Sequence, residues 1–180
     1  PTASTLVRAE LAESNTEIAG NQLSGTAEAL SIEHRSELLD LRVYHREIDQ
    51  DFGLGQQSAA EQGIRNYGVD GRLELNEALS VNAQASMQEN LETGAERHLA
   101  DADIMYRNEA MTANVGLLYA EDEFTDGTKL ASNLVDAGIS QQVFDDALTL
   151  RLNGSYSLGG EAENSDYLSR VVVGADYAML

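Results

Sequence analysis

The chain has 180 residues, 42% of them hydrophobic, no cysteine, a single proline (Pro1) and a formal net charge of −20. That length suits one domain spanning 1–180; the missing cysteines exclude disulfides and thiolate chemistry, and the missing Lys and Arg clusters argue against nucleic acid. No run approaches the roughly 18 consecutive apolar residues of a membrane helix, so any crossing of a bilayer has to be made by strands.

Taken in chain order, ten alternating runs are predicted as strands, at 5–12, 25–33, 38–47, 65–75, 79–88, 98–107, 111–120, 131–141, 147–157 and 168–179. The second and eighth alternate poorly; the others separate two faces. In the third, Leu39, Leu41 and Val43 oppose Asp40, Arg42, Tyr44 and Arg46. The fourth sets Tyr67, Val69, Gly71, Leu73 and Leu75 against Asn66, Gly68, Asp70, Arg72 and Glu74. The fifth sets Leu79, Val81, Ala83, Ala85 and Met87 against Ser80, Asn82, Gln84, Ser86 and Gln88. Asp101 and Asp103 lie on the sixth, and the ninth sets Leu148, Leu150 and Leu152 against Arg151 and Asn153. Side chains alternate across a strand, so each such run offers one apolar and one polar surface.

The runs are joined by two kinds of connection. A polar turn recurs at Arg35-Ser36-Glu37-Leu38, Asn76-Glu77-Ala78-Leu79, Asn108-Glu109-Ala110-Met111 and Asp145-Asp146-Ala147-Leu148, and each copy ends one run and starts the next. Between these short turns lie longer polar stretches at 13–24, 49–63, 89–97, 121–129 and 159–165. Strict alternation of short and long connections predicts an all-β, antiparallel up-and-down meander of about ten strands forming a β-barrel, with short turns at one end and long loops at the other.

The polar face is then expected to line the lumen, through Asp40, Arg42, Arg46, Arg72, Glu74, Asn82, Gln84, Asp101, Asp103, Arg151 and Asn153. Lipid, or a core, is expected against Leu39, Leu41, Val43, Leu73, Leu75, Leu79, Val81, Leu148, Leu150 and Leu152. Tyr67, Tyr106, Tyr119, Tyr156 and Tyr177 supply thin aromatic girdles, with no tryptophan to reinforce them. Lumen charges in so narrow a barrel are expected to pair across strands and plug it.

No catalytic residue, cofactor or metal set is predicted. His34, His45 and His98 are scattered, the acidic stretches 49–51 and 122–127 do not match the twelve-residue EF-hand loop, no Gly-x-Ser-x-Gly occurs, and Gly53-Leu54-Gly55 opens no strand–helix unit.

The stretches Glu61-Gln62-Gly63-Ile64-Arg65-Asn66-Tyr67-Gly68-Val69-Asp70-Gly71-Arg72, Asn76-Glu77-Ala78-Leu79-Ser80-Val81 and Gln88-Glu89-Asn90-Leu91-Glu92-Thr93-Gly94-Ala95 resemble the β-barrel region of very large Gram-negative outer-membrane surface proteins, which often carry extracellular repeat domains. The similarity continues through Leu118-Tyr119-Ala120-Glu121, Asp126-Gly127-Thr128 and Ser157-Leu158-Gly159-Gly160 to Val173-Gly174-Ala175-Asp176-Tyr177, covering about residues 60–178. It implies a barrel fold and an outer-membrane location, and it carries no catalytic residues. The final run departs from an outer-membrane ending, because Val171, Val173, Ala175, Tyr177 and Met179 form the apolar series and Leu180 falls out of phase. The start, Pro1-Thr2-Ala3-Ser4, has no leader pattern, so a mature, trimmed or partial chain is expected, with ten strands as a lower bound for its parent.

The expected function is an outer-membrane anchor or display scaffold, porin-like at most as a narrow pore, whose partners are the lipid bilayer and further strands or domains of a parent chain. The alternative is a soluble, secreted or engineered all-β barrel binding a small apolar ligand or a protein.

Overall fold

The computed structural model describes residues 3–18, 20–53, 62–144, 147–158 and 169–177. Ten strands, β1 (Ser4–Ile18), β2 (Asn21–Arg35), β3 (Leu39–Ile48), β4 (Ile64–Glu74), β5 (Leu79–Asn90), β6 (Glu96–Arg107), β7 (Met111–Glu123), β8 (Lys129–Val143), β9 (Leu148–Ser157) and β10 (Arg170–Tyr177), form one antiparallel sheet in chain order. Every described strand pairs only with its sequence neighbours, so the predicted up-and-down meander is the fold. No helix occurs among the described residues, and none therefore covers either face.

Short and longer connections alternate from β2 onward as expected, but the bounds of the long ones need correction. β1 runs to Ile18 and β2 starts at Asn21, so most of the polar stretch 13–24 is ladder. Likewise β5 reaches Asn90, β6 starts at Glu96, β7 reaches Glu123 and β8 starts at Lys129. The physical reason is that a ladder is held by backbone groups, which polar residues carry as well as apolar ones. Loss of apolar alternation marked where the apolar surface stops, and the strands continue past it. The connection 159–165 lies outside the described residues, as do Asp145, Asp146, Gly55, Met179 and Leu180.

The short turns have a common chemistry. Asn76 Oδ1 accepts from the backbone N–H of Ala78 at 2.9 Å and of Leu79 at 3.0 Å. Asn108 Oδ1 does the same for Ala110 at 3.0 Å and Met111 at 2.8 Å. At the first copy Ser36 Oγ accepts from the N–H of Leu39 at 3.0 Å. A short polar side chain that satisfies the two amides after it is what an Asx or Ser turn requires, and it explains the echo in the sequence. Asn90 repeats the device at the opposite end, accepting from Glu92 and Thr93.

The sheet does not close on itself: among the described residues, β1 pairs only with β2 and β10 only with β9. One register row starts at Ser4 at the turn end of β1, passes through Arg35, Asp40, Arg72, Asn82, Asp103, Gly116, Asp136 and Ser155, and arrives at Arg170 at the loop end of β10. That stagger is the shear a closing ladder has to absorb.

Candidate functional site: an apolar belt and a polar inner face

Direct cross-strand partners share a face, so the register sorts the whole sheet. One row reads Leu39, Leu73, Val81, Ile104, Val115, Ala137, Gly154 and Val171. A second reads Val7, Ile32, Val43, Val69, Ala85, Ala100 and Tyr119. Both belong to one continuous apolar surface, on which all of the residues assigned from sequence to the lipid or core side fall, Leu41, Leu75, Leu79, Leu148, Leu150 and Leu152 included. This surface is uncovered: Leu117 is 60% and Val173 77% exposed.

Tyrosines mark its two rims. Tyr106 is the partner of Leu79 and Tyr177 that of Leu148, beside the short turns, whereas Tyr67 is the partner of Met87, and Tyr119 and Tyr156 also lie towards the loops. Two of the hydroxyls find polar partners beside the belt, while that of Tyr67 donates to Met87 Sδ at 2.6 Å. Tyr119 donates to Glu121 Oε2 at 2.6 Å, and Tyr106 accepts from Asn108 Nδ2 at 3.1 Å. On β5 the rims are eight residues apart, from Leu79 to Met87. At about 3.4 Å per residue, that is about 27 Å along the strand.

Beyond the loop-side tyrosines the same surface turns ionic within one register row: Glu28, Glu47, Arg65, Glu89, Glu96, Glu123 and Lys129. Arg65 donates to Glu47 at 2.6 Å and Glu89 at 2.9 Å; Lys129 lies 2.8 Å from Glu123 and 3.3 Å from Glu121. The row is charged where the belt below it is apolar.

The opposite face carries every residue assigned from sequence to the lumen: Asp40, Arg42, Arg46, Arg72, Glu74, Asn82, Gln84, Asp101, Asp103, Arg151 and Asn153. It also carries every buried strand residue among those described, namely Gly25, Ile48, Ser80, Gly116, Ala120, Ser132 and Leu134. The partners differ from those expected. Arg72 does pair with Glu74, but Arg42 bonds Asp70 at 2.8 Å and lies 5.2 Å over the Tyr44 ring, Arg151 pairs with Asp176, and Asp103 accepts from Asn82 at 3.0 Å. Arg8–Glu33 extends the series to β1 and β2. The pairings with Asp70, Asp176 and Glu33 are not legible in the sequence, because a period-two pattern gives the face and not the register.

Arg42, Asp70, Arg72, Gln84 and Asp101 line a polar cavity of about 640 Å³ on this face. Glycine makes room for the polar side chains that cross it. A Cβ at Gly116 would lie 2.6 Å from Asp136 Oδ1, and one at Gly138 would overlap Asn114 and Asn153, its partners on either side. At the loop end the chain after β3 folds over β2. A Cβ at Gly25 would sit 2.7 Å from the Asp51 carbonyl carbon, and Gly53 N–H donates to Ser14 Oγ at 2.9 Å. Asp49 accepts from both the hydroxyl and the backbone N–H of Thr26 at 2.7 Å, and these bonds hold its carboxyl below the usual carboxylate range.

Sequence reading also missed one cluster. Glu28, His45 and Glu47 place their ligand atoms within 4.8 Å of one another at the loop-side rim.

No protein family matches the sequence, and no curated protein matches it.

Proposed function

We propose that this chain is the wall of a bacterial outer-membrane β-barrel, whose role is to anchor and display rather than to catalyse. The observation that carries the reading is the uncovered apolar belt, bounded by tyrosines on both rims and by an ionic row beyond one of them. A single sheet with one uncovered apolar face has no covering layer of its own, and in water such a face demands one. Lipid is such a covering layer. The polar face then turns to an aqueous interior, which its Arg–Asp and Asn–Asp pairs narrow. Because unpaired strand edges are not tolerated in hydrocarbon, β1 and β10 take partners, either each other or further strands of a parent chain.

A soluble binder of the lipocalin kind needs its apolar side indoors. Here the buried strand residues all belong to the polar side, which speaks against that reading. The deciding experiment is circular dichroism and size exclusion of the purified chain with and without detergent. β-structure and monodispersity only in detergent are expected; a monomeric β-protein in plain buffer sinks the proposal.

A further inference from the structure

Three potential metal ligands meet where β2 and β3 emerge from the apolar belt. His45 and Glu47 are two residues apart on β3 and so point to the same side, while Glu28 on β2 is the direct partner of Glu47. His45 Nε2 and Glu28 Oε1 are 3.0 Å apart, and all three ligand atoms lie within 4.8 Å. Two ligands at i and i+2 plus one across the ladder form a compact triangle on a rigid sheet. Ligands at about 2.0–2.2 Å from a tetrahedral zinc stand about 3.3–3.6 Å from each other, so a small rotation of the exposed Glu28 side chain closes the set.

Charge points the same way. Like charges directly opposed across a ladder destabilise it, and Glu28 faces Glu47. Arg65 is shared between Glu47 and Glu89, so Glu47 has only part of one cation. Arg65 holds Glu47 through Oε2, which leaves Oε1 of the same carboxylate able to take a second cation.

We propose that Glu28, His45 and Glu47 bind a divalent transition-metal ion of the zinc type, with a fourth position left to water. The imidazole selects such an ion over calcium and magnesium, which prefer all-oxygen sets. The site needs only the β2–β3 ladder, so it stands whether or not the belt meets lipid.

The test is calorimetric titration of the folded full-length chain with zinc chloride, with calcium chloride in parallel and circular dichroism of each variant to confirm folding. One zinc equivalent is expected in preference to calcium. His45→Ala and Glu28→Gln should each weaken it by about tenfold or more, given that even partners outside the ligand set act on that scale. His34→Ala and His98→Ala should leave it unchanged, and Arg65→Gln, which releases Glu47, should preserve or tighten it. Absence of zinc binding, binding by His45→Ala equal to that of the parent chain, or equal loss in His98→Ala overturns the proposal. Binding that survives His45→Ala would assign the uptake to the carboxylates at large, and equal loss in His98→Ala would assign it to the histidines at large.

Discussion

Tyr106 and Tyr67 stand at opposite ends of the same strand of partners: Tyr106 faces Leu79 and Tyr67 faces Met87, so β5 measures the height of the apolar belt from rim to rim. Midway between them Ala83 pairs with Gly71 on one side and Ala102 on the other. If lipid covers the belt, Ala83→Arg should cost about 2–4 kcal/mol, the charge being near mid-bilayer, whereas Gln84→Arg on the polar face should cost little. Denaturant titration of the chain refolded into lipid vesicles reads both, and equal costs for the two would argue against a lipid-facing belt.

The side-chain caps of the short turns are individually removable. Asn76→Ala and Asn108→Ala each delete two bonds to backbone amides, and each should lower stability by about 1 kcal/mol. Since the two turns join different strand pairs, the losses should add in the double variant, which unfolding midpoints would show.

Gly138 should not tolerate even a methyl group. Its partners Asn114 and Asn153 lie across it from both sides, so Gly138→Ala forces one of them off its rotamer, at a cost of about 1–3 kcal/mol. Gly154→Ala, where the nearest atom would be 3.6 Å away, is the matched control and should unfold at nearly the parental denaturant concentration.

Acid should release the tie between Asp49, just after β3, and Thr26 on β2. Asp49 is held below the usual carboxylate range by Thr26, so its contribution is present above the ordinary Asp value of about 3.9 and is lost as pH falls towards the lowered one. Asp49→Asn should therefore flatten the decline of stability between about pH 4 and its acid limit, and should reduce stability at neutral pH. Chemical denaturation at several pH values, parent against variant, measures the difference.

Much of this fold is legible because a half-exposed strand writes its period into the side chains. Leu79 to Met87 alternates without a break, and β5 is there. The outer parts of β1 and β2 are illegible for the complementary reason: Asn15, Glu17, Gln22 and Ser24 stand exposed and polar on the continuation of the apolar surface, so nothing selects an alternation there, although the backbone ladder persists. Facing is legible and pairing is not. Arg42 could be placed on the polar surface from its neighbours, but only the register shows that Asp70 stands opposite it. The same holds for Glu28 and His45, which are 17 positions apart in sequence and share a hydrogen bond.

Each strand of this sheet pairs only with the strands just before and after it in the chain, and that locality has a kinetic consequence. A completed hairpin offers its free edge as a template for the next, so assembly can run as a zipper from any starting hairpin, without the slow search that distant pairings impose. The last strand added always leaves another edge open, which makes the width of such a wall a matter of how many hairpins a gene strings together.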